Sequence, residues 1–568
     1  MPALLCVPIT VESLDQALAD AATARSLGAD LVEFRIDGLF SGHANPATPG
    51  DSDETRPILK LVAQSPLPCI VTCRLASEGG QYDGDETDRV SLYERLGTAT
   101  GPNEHPPRFL DFELAAFSRS ANIRQKINLA TDHPARRREL APSLILSAHD
   151  FDSRPADLSR RVLAMHAEPA SQITKIAFRA RSLRDNLELF ELLREAPKPM
   201  IALAMGEFGL MSRVLAGKFG AFLTFAALKR ATATAPGQPT VSELLGTYRF
   251  RSISSTTRVY GVIGSPVSHS LSPLIHNAAF EAAGFDAVYL PLPIPPATSG
   301  NPDDTYLLFK ATLGALVDDP SLDFHGASVT LPHKENLVRF ATERSWTIDP
   351  AALAIGAANT LVIERSAGAV TSARVLNTDS GAAIAPIVEA IGPLAGVEVG
   401  VVGAGGVARA VVYGLMTAGA RVTVYNRDLA RAQRLAADLS QALTHHRAGS
   451  SGGVVSAASL DTLPAAAAQV FINCTPVGMK GGPDPVGSPI PVLAISNSGN
   501  CHTSPLVLDT VYNPIDTPLL TQARQAGWRS IDGVEMFVRQ AQVQSQAWTG
   551  RLAPGSLFDR VVREALAV

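Results

Sequence analysis

The stretch Val399-Gly-Val-Val-Gly-Ala-Gly-Gly-Val-Ala-Arg-Ala410 joins a short apolar run to an alanine-rich segment through a glycine-rich turn. Its spacing, Gly403-x-Gly405-x-x-Ala408, fits the dinucleotide fingerprint: the first position allows a tight turn, the second lets a pyrophosphate approach, and the third lets helix pack on strand. The pyrophosphate would lie at the helix N-terminus, against unpaired N–H groups. Such turns also occur without ligands, but the strand before it and the helix after it favour nucleotide binding. The turn residues expected to contact the cofactor are Gly403, Ala404, Gly405, Gly406, Val407 and Ala408.

The next strand-like segment, Arg421-Val-Thr-Val-Tyr425, indicates which dinucleotide is bound. It ends in Asn426-Arg427, where an NAD-binding unit usually carries an acidic residue for the ribose hydroxyls. An arginine instead accommodates a 2′-phosphate, so Asn426 and Arg427 favour NADP(H). Asp428 adds a negative charge beside them, and Arg431 is a candidate for compensating it.

Length and composition describe a multidomain globular protein. At 568 residues the chain is too long for one core, and its length predicts about three or four domains. Hydrophobic residues make up 46% and charged residues 18%, which is typical of globular rather than disordered chains. The net charge of −5 offers no basic surface for nucleic acid, and no apolar run is long enough to span a membrane. The acidic N-terminal region differs from a signal or transit peptide, so we expect a soluble, cytoplasmic enzyme that acts on small molecules.

The five cysteines, at positions 6, 69, 73, 474 and 501, form neither a disulfide framework nor a zinc-binding pattern. Cys69 and Cys73 lie in one predicted strand, where small, buried, apolar side chains are the simpler interpretation. We therefore expect no metal site.

Up to about residue 230 the chain alternates apolar, strand-like runs with helix-like stretches. Eight such units in this length predict a (β/α)8 barrel, an α/β fold. The eight runs are Leu4–Thr10, Leu31–Asp37, Cys69–Arg74, Phe109–Leu114, Leu144–Asp150, Ile173–Ala180, Met200–Gly206 and Ala221–Leu228.

Charged residues cluster near the ends of these runs, where a barrel of this type places its active site. In the second run, the period of two puts Glu33, Arg35 and Asp37 on one face of the strand. Other charged or titratable residues at or just beyond run ends are Arg74, Glu78, His149 and Asp150.

Lys175 stands in the middle of the sixth run, on an otherwise apolar strand face. A lysine is rarely buried in such a place without a partner or a purpose. One interpretation is an ion pair, with Glu33 as the partner. The other is a desolvated amine suited to Schiff-base chemistry. Beside such a lysine, His149 becomes a candidate for proton transfer.

Five motifs of the first half resemble type I 3-dehydroquinate dehydratase, in consistent order over residues 3 to 245. They are Glu33-Phe-Arg35-Ile-Asp37, Arg74-Leu-Ala-Ser-Glu78-Gly-Gly, Ser147-Ala-His149-Asp-Phe, Lys175-Ile-Ala and Ala235-Pro-Gly-Gln238. The resemblance implies that Lys175 forms an imine with the substrate ketone, that His149 removes the C2 proton and helps to expel the C1 hydroxyl, and that Glu78 supports the histidine. It implies that the substrate's hydroxyls and carboxylate are held by Glu33, Arg35, Arg74, Arg213, Thr234 and Gln238. Thr234 stands where the family usually has serine, which keeps the hydroxyl.

The second half carries polar motifs directly after strand-like or helical runs, where loop residues can converge on a ligand. Taken separately, Lys334 and Asp379 are typical of a surface charge pair, and Ser270 and Ser272 of helix caps. Together the motifs resemble shikimate dehydrogenase over residues 258 to 566. They are Gly264-Ser-Pro-Val-Ser-His-Ser270-Leu-Ser272-Pro, Val329-Thr330-Leu-Pro-His-Lys334, Asn359-Thr, Asn377-Thr-Asp379-Ser-Gly, the glycine turn, Asn473-Cys-Thr-Pro-Val-Gly-Met and Gln540.

This second resemblance implies that Lys334 and Asp379 form the catalytic pair, with the lysine donating a proton to the carbonyl oxygen as hydride arrives at carbon. A cationic lysine also stabilises the developing alkoxide. The residues implied to contact shikimate are Ser270, Ser272, Thr330, Asn359, Asp379, Tyr512 and Gln540. Thr475 and Gly533 join the contacts to NADP(H). The family usually has Thr or Ser after Asn-Arg, where this chain has Asp428.

These patterns divide the chain into predicted domains. They are a barrel over 1–245, a linker over 246–257, a substrate-binding domain over 258–378 that is completed by 537–568, and a Rossmann-type NADP-binding domain over 379–536. The segment 294–323, rich in Pro, Asp and Gly at its ends and helical-looking in its middle, is interpreted as an insertion. Residues 444–454 and 480–504 are predicted surface loops.

The product of the first implied reaction is the substrate of the second. The two resemblances therefore imply dehydration of 3-dehydroquinate to 3-dehydroshikimate, followed by NADPH-dependent reduction to shikimate. A quinate dehydrogenase is an alternative for the second half, although the paired Ser270 and Ser272 favour shikimate. A non-catalytic sensor built from the same domains is another alternative, but such a protein is expected to have lost chemical groups that this chain keeps.

Overall fold

A computed structural model describes residues 2–40, 52–100, 104–132, 141–446, 453–497 and 504–566. The chain divides into two compact units, Met1–Thr257 and Arg258–Val568. No helix among the described residues is long and apolar enough to cross a membrane.

The described part of the first unit contains an eight-stranded parallel sheet whose strands follow the order of the chain. The strands are β1 (Leu4–Thr10), β2 (Leu31–Arg35), β3 (Cys69–Thr72), β4 (Phe109–Glu113), β5 (Ser143–Asp150), β6 (Ser171–Arg179), β7 (Met200–Met205) and β8 (Leu223–Phe225). The helices are α1 (Leu14–Ser26), α2 (Ser52–Gln64), α3 (Glu86–Thr98), α4 (Leu114–Phe117), α5 (Ala121–Thr131), α6 (Leu158–Ala167), α7 (Arg184–Glu195) and α8 (Leu210–Val214).

The sheet closes almost completely into a barrel. Strand β1 pairs with both β2 and β8, and at the remaining gap Phe222 N donates a hydrogen bond to Met200 O at 2.8 Å. Cys6, Ile70 and Ile145 belong to one buried apolar cluster inside it. The predicted (β/α)8 barrel is confirmed, and each predicted run coincides with one strand of this sheet.

The segment 246–257, predicted as a linker, is ordered against the barrel. Phe250 is buried, and Arg251 Nη1 lies 2.8 Å from Asp30 Oδ2. Lys218 Nζ donates to the carbonyl oxygens of Ser255 and Thr257 at 3.0 and 2.9 Å. These contacts place the segment with the first compact unit, which ends at Thr257.

The described part of the second unit contains two six-stranded sheets. The strands of the first are β9 (Arg258–Gly264), β10 (Ala287–Pro293), β11 (Phe324–Val329), β12 (Thr347–Ile348), β13 (Thr360–Ser366) and β14 (Ala369–Leu376). The helices between them are α9 (Ser272–Ala282), α10 (Pro302–Asp318), α11 (Lys334–Glu343) and α12 (Pro350–Ile355). This sheet is mixed, with the order β10-β9-β11-β13-β14-β12.

Helix α10 corrects the interpretation of 294–323 as an insertion. It connects β10 to β11, which pair in parallel with β9 on its two sides. Parallel strands need such a crossover, and α10 packs into the core through Tyr306 and Phe309. The polar residues that suggested an insertion form the start of the helix, where Asn301 caps the first turn and Pro302 begins it.

The second sheet of this unit is entirely parallel. Its strands are β15 (Glu398–Val402), β16 (Arg421–Asn426), β17 (Val454–Ser459), β18 (Val470–Asn473), β19 (Leu506–Asp509) and β20 (Arg529–Ile531). The remaining α-helices of the described unit are α13 (Asp379–Ile391), α14 (Gly406–Thr417), α15 (Leu429–His446), α16 (Val492–Asn497), α17 (Pro518–Gln525), α18 (Gly533–Thr549) and α19 (Gly555–Leu566). The order β17-β16-β15-β18-β19-β20 is that of a doubly wound dinucleotide-binding fold, with its crevice where β15 meets β18. The predicted Rossmann-type fold is confirmed.

Part of the predicted surface loop 480–504 belongs to the core of this second sheet. Ile490, Val492 and Ile495 are buried in one cluster with Phe471. These apolar residues at and before α16 therefore anchor the segment in the core. The many Gly, Ser and Pro residues around them made the segment resemble a surface loop. Residues 498–503, and 447–452 of the other predicted loop, lie outside the described residues.

The C-terminal helices pack on the first sheet of the second unit. The Trp548 ring lies 5.4 Å from that of Tyr260, and Phe558 joins a buried cluster with Ile275. Helix α18 also contributes Met536 to the core of the parallel sheet. The predicted limit between residues 536 and 537 thus falls inside a helix that packs on both sheets.

Candidate active sites

The carboxyl ends of the barrel strands and the loops beyond them line a cavity that contains the predicted site residues. Strands bring lysine, carboxylate and imidazole groups to it because alternate side chains point inward. All nine barrel residues predicted as catalytic or substrate-binding line this cavity: Glu33, Arg35, Arg74, Glu78, His149, Lys175, Arg213, Thr234 and Gln238.

Lys175 is buried on β6, with its Nζ surrounded by acceptors and an aromatic ring. Nζ lies 2.7 Å from Asp111 Oδ2, 3.4 Å from Glu33 Oε1 and 4.7 Å from the centre of the Phe225 ring. The ion pair considered for this lysine therefore exists, and Asp111 is its nearer partner. Lys175 also lines the cavity, so the ion pair lies at its wall.

Sequence reasoning missed Asp111 and Glu113, which carry a buried charge network beneath the cavity. Arg74 bonds both carboxylates, with Nη2 at 2.7 Å from Asp111 Oδ1 and Nη1 at 3.0 Å from Glu113 Oε1. Arg89 completes the network at 2.6 Å from Glu113 Oε2. Burial raises the pKa of Asp111, but Arg74 and Lys175 outweigh it and hold that pKa well below its usual range. The alternation in Phe-Leu-Asp111-Phe-Glu113 was the available signal, since it repeats the pattern of the second strand.

His149 and Glu78 form a pair at the edge of the same cavity. Glu78 Oε2 lies 3.1 Å from His149 Nδ1 and accepts from the His149 backbone N at 2.9 Å. Burial, with further contributions from Arg74 and Lys175, holds the pKa of His149 well below its usual value, so the imidazole is neutral at neutral pH. Burial raises the pKa of Glu78 to about 7.

Arg213 is a buried guanidinium without a carboxylate partner among the described residues. It is 2% exposed, its Nε has no hydrogen-bond partner, and its Nη1 reaches only the Phe225 carbonyl oxygen at 3.5 Å. Burial lowers its pKa to about 10, which leaves it charged at neutral pH. An unpaired, buried cation that lines a cavity is a site for an anion.

Other polar side chains of the cavity have partners within the protein. Arg35 forms a bidentate pair with Asp37, with both nitrogen–oxygen distances at 2.9 Å. Gln238 Oε1 accepts from the backbone N of Thr234 at 3.0 Å and from its hydroxyl at 3.4 Å. These bonds fix the direction of each group toward the cavity.

In the second unit, Lys334, Asp379 and Asn359 form a buried triad. Lys334 Nζ lies 2.5 Å from Asp379 Oδ2, and Asn359 Nδ2 donates to Asp379 Oδ1 at 2.8 Å. Asn377 Oδ1 accepts from the backbone N of Asp379 at 3.1 Å, so it caps α13 and fixes the aspartate. The interpretation of Lys334 and Asp379 as a surface pair is wrong, because their side chains are 9% and 3% exposed.

The remaining residues implied to contact shikimate lie on several elements. The backbone N of Ser272 donates to Ser270 Oγ at 3.2 Å where α9 begins, and Tyr512 stacks on Phe537 with 4.6 Å between rings. Thr330 follows β11, and Gln540 is half-buried on α18. Within the described part of the chain, no hydrogen bond joins these residues to Lys334 or Asp379.

Gln544 lies one turn beyond Gln540 on α18, and sequence reasoning missed it. Its Nε2 donates to Thr360 Oγ1 at 3.1 Å and reaches the Asn359 carbonyl oxygen at 3.4 Å. This buried amide supports the loop that carries Asn359. Its place on the same helix face as Gln540, four residues away, was the signal that could have found it.

The glycine turn has the backbone that a dinucleotide requires. Gly403 has φ +112°, and a Cβ there would lie 2.9 Å from the Cys474 carbonyl oxygen. A Cβ on Gly405 would meet nothing within 4 Å, so the N-terminus of α14 faces open space. A Cβ on Gly406 would lie 3.7 Å from Lys334 Cδ, which puts the turn beside the triad. The open N-terminus of this helix and the positive φ of Gly403 fit the pyrophosphate of a dinucleotide.

Two further predicted cofactor contacts are Thr475, which lies beside the glycine turn, and Gly533, which lies against the residues after β19. Thr475 follows β18 and bonds Asn473 Oδ1 through its hydroxyl at 2.7 Å; a Cβ on Gly403 would lie 3.1 Å from its Cγ2. Gly533 begins α18, and a Cβ there would lie 2.3 Å from the Val511 carbonyl oxygen. That contact allows only glycine.

The residues that follow β16 include an exposed, unpaired cation. Arg427 is exposed and forms no ion pair with a described residue. Asp428 Oδ1 accepts from the Arg431 backbone N at 3.2 Å, so this aspartate caps α15. Asn426 Nδ2 donates to the Asp428 carbonyl oxygen at 2.9 Å. The capping role explains how aspartate replaces Thr or Ser here without changing the turn.

No group of three or more potential metal ligands occurs among the residues that the structure describes. Cys6, Cys69 and Cys73 are buried free thiols. Burial raises the pKa of each thiol, which makes them inert packing groups.

Three family models match the chain in succession. The type I 3-dehydroquinase model matches residues 5–255, the shikimate dehydrogenase substrate-binding domain matches 262–361, and the shikimate / quinate 5-dehydrogenase model matches 387–450.

Known proteins resemble the chain over its whole length and over its second half. A bifunctional 3-dehydroquinate dehydratase/shikimate dehydrogenase of Arabidopsis thaliana, described as chloroplastic, is 34% identical over 99% of this chain and 84% of its own. A shikimate dehydrogenase (NADP(+)) of Methanocella arvoryzae is 39% identical over 54% of this chain and 99% of its own. A solved dehydroquinate dehydratase and shikimate dehydrogenase from S. pombe aligns over 99% of this chain and 98% of its own, with 24% identity and a TM-score of 0.41. The chain belongs to the family of bifunctional type I 3-dehydroquinate dehydratase/shikimate dehydrogenase enzymes.

Proposed function

We propose that the barrel dehydrates 3-dehydroquinate through a Schiff base on Lys175, and that the second unit reduces 3-dehydroshikimate to shikimate with NADPH. The observation that carries the first half is the cavity in which one lysine, one histidine–glutamate pair and one unpaired arginine converge. The buried pair of Lys334 and Asp379 beside the glycine turn supports the second half.

In the dehydration step, Lys175 supplies the nucleophile and His149 moves the proton. Nζ attacks the substrate ketone, and loss of water gives an iminium that withdraws electrons from the adjacent C2–H bond. His149, neutral and held at Nδ1 by Glu78, takes the C2 proton through Nε2. The same imidazole returns the proton to the C1 hydroxyl, which leaves as water, and hydrolysis of the imine frees Lys175.

Arg213 is proposed to bind the substrate carboxylate. Its planar fork can donate two parallel hydrogen bonds, and burial makes each of them stronger than in water. Glu33, Arg35, Arg74, Thr234 and Gln238 are proposed to hold the hydroxyl groups and the carboxylate from the remaining walls.

In the reduction step, Lys334 donates a proton to the carbonyl oxygen. Asp379 and Asn359 orient the ammonium, and its charge stabilises the oxygen as negative charge develops there. The residues proposed to contact shikimate are Ser270, Ser272, Thr330, Asn359, Asp379, Tyr512 and Gln540.

The cofactor is proposed to be NADP(H), as in the Methanocella relative's name. When bound, it supplies the hydride. The turn from Gly403 to Ala408 and the residues Thr475 and Gly533 would hold the dinucleotide, and Asn426 and Arg427 its 2′-phosphate.

We propose that 258–378 with 537–568 binds the substrate and that 379–536 binds the cofactor, with helix α18 shared between the two parts. We also propose a cytoplasmic location; the plant relative is described as chloroplastic.

A coupled assay tests the proposed function. Purified chain given 3-dehydroquinate and NADPH should form shikimate, and 3-dehydroshikimate with NADPH should do so in the Lys175→Ala variant. Absence of shikimate from the wild-type reaction would refute the combined function and favour a sensor. Quinate oxidised faster than shikimate would instead identify a quinate dehydrogenase.

A further inference from the structure

Asp111 lies behind Lys175, outside the set of residues that line the cavity. It is fully buried on β4, and its two oxygens have fixed donors. Oδ2 accepts from Lys175 Nζ at 2.7 Å, while Oδ1 accepts from Arg74 Nη2 at 2.7 Å and from Ser147 Oγ at 2.6 Å. Since rotating the carboxylate would break three hydrogen bonds, the barrel itself presets the bond to Nζ.

We propose that Asp111 is a positioning residue that holds the single N–H of the Lys175 iminium and keeps that nitrogen protonated during proton abstraction. The proposal rests on the proposed Schiff-base reaction and assigns a role to a group that the substrate does not touch.

The proton count of the reaction defines what this residue must do. Condensation forms a C–N bond, breaks the ketone C–O bond and releases water, which leaves one proton on the iminium nitrogen. When C2–H breaks, its electron pair moves into the C=N bond and gives a neutral enamine that still carries this N–H. An unprotonated imine is a weaker electron sink, so the proton must stay on nitrogen until C2–H has broken.

Asp111 is better placed for this role than Glu33, the other carboxylate near Nζ. Glu33 Oε1 is 3.4 Å from Nζ and already accepts from Thr72 Oγ1 at 2.7 Å. Glu33 also lines the cavity, where substrate hydroxyls compete for it. Once Nζ has only one N–H group, that group keeps its hydrogen bond to Asp111, which is the nearer carboxylate and does not contact the substrate.

The surrounding charges make this counterion necessary. The charged or titratable groups that line the cavity with Lys175 are Glu33 and Arg35 on β2, Arg74 after β3, Glu78 in the following loop, His149 on β5 and Arg213 on α8. Three of them are arginines, which favour loss of a proton from a nearby cationic nitrogen. Of the two carboxylates that contact Nζ, Asp111 is the nearer, at 2.7 Å against 3.4 Å for Glu33, and it offsets these positive charges.

Reductive trapping across pH tests the proposal on the full chain. Cyanoborohydride reduces the protonated imine, and peptide mass mapping locates the adduct formed with 3-dehydroquinate. For Asp111→Asn we expect trapping slower by about tenfold to a hundredfold at neutral pH, the equivalent of one charge-assisted hydrogen bond, with recovery as the pH falls. Asp111→Glu should restore part of the rate. Wild-type trapping at every pH in Asp111→Asn would overturn the proposal.

Two variants separate positioning from folding and from the proposed function. Ser147→Ala removes one of the two donors to Asp111 Oδ1, leaves Arg74 as the other and does not alter Lys175. We expect trapping about threefold to tenfold slower with the same recovery at low pH. Thr72→Val, the matched control, removes the donor to Glu33 and should leave the pH profile unchanged. If Asp111→Asn fails to fold, wild-type trapping in Ser147→Ala overturns the proposal. Wild-type chain without an adduct on Lys175 would refute the Schiff base itself.

Discussion

Glu78 Oε2 contacts both the backbone N of His149, at 2.9 Å, and its Nδ1, at 3.1 Å. An ionised carboxylate can only accept, so ionised Glu78 keeps the proton on Nδ1 and leaves the lone pair on Nε2. Burial raises the pKa of Glu78 to about 7, whereas the pKa of His149 lies well below its usual value. Ionisation of Glu78 therefore controls the base near neutral pH.

The first prediction concerns the pH dependence of dehydration. Because the active form of Glu78 is ionised, kcat/KM should fall about tenfold per pH unit as the pH drops below about 7. His149 stays neutral in that range, so its own titration adds no further fall to the pH profile of kcat/KM. In Glu78→Gln we expect this limb to disappear and kcat to fall by about tenfold to a hundredfold, measured on 3-dehydroquinate by formation of the conjugated product. An unchanged acid limb in Glu78→Gln would assign it to another group.

The second prediction is that replacing Arg213 lowers activity without lowering stability. This guanidinium is buried without a carboxylate, so Arg213→Met should leave the free energy of unfolding unchanged or raise it. The same change should lower kcat/KM for dehydration by about a hundredfold or more, since the substrate carboxylate loses its partner. Thermal unfolding and steady-state kinetics measure the two effects.

Arg89 is the matched control, because it is equally buried but paired. Its guanidinium lies 2.8 Å from Glu86 and 2.6 Å from Glu113. Arg89→Met should destabilise the barrel by about 3–5 kcal/mol, since it leaves Glu113 with a smaller share of its counterions. Equal destabilisation by the two variants would show that Arg213 has a structural partner.

The architecture of this chain is readable from sequence because most of its strands are short, predominantly apolar runs between helix-like stretches. All eight barrel runs and the glycine turn coincide with observed elements. The helical middle of 294–323 was recognised, but its role as the crossover helix α10 was not, because Pro, Asp and Gly at the ends of the segment are typical of an inserted loop. Helix α16 was not predicted because its few buried apolar residues lie among residues that usually form loops.

The candidate sites were predictable as far as motifs extend. Lys175 and His149 could be found, and Glu33 was foreseen as the ion-pair partner, but Asp111 lies nearer to Nζ. A strand pattern reports which face a side chain occupies, not which strand across the barrel supplies its partner. The same limit concealed Gln544, whose contact with Thr360 depends on packing between a C-terminal helix and a distant strand.

The third prediction separates the two reactions at Lys334. Lys334→Ala should lower kcat for reduction of 3-dehydroshikimate by about a hundredfold or more while the Kd for NADPH changes little, because the lysine acts on the carbonyl oxygen. Dehydration by the same chain should be unaffected. Lys310→Ala is the control, since it removes a lysine 2.6 Å from Glu343 on the surface and should leave both activities intact. Loss of NADPH binding in Lys334→Ala would mean that the lysine serves the cofactor.

The fourth prediction concerns cofactor choice at the end of β16, where Arg427 and Asp428 have opposite effects on a 2′-phosphate. Arg427→Ala should raise the Kd for NADPH by about tenfold and leave the Kd for NADH unchanged, because only NADPH carries the 2′-phosphate. Asp428→Ser keeps the cap of α15 but removes a negative charge, so the Kd for NADPH should fall by about threefold to tenfold. Calorimetric titration of each dinucleotide measures both effects without turnover. Arg421→Ala, at the opposite end of the same strand, should change neither Kd. If Asp428→Ser lowered the Kd for NADH as much as the Kd for NADPH, the aspartate would act on the conformation of the turn rather than on the 2′-phosphate.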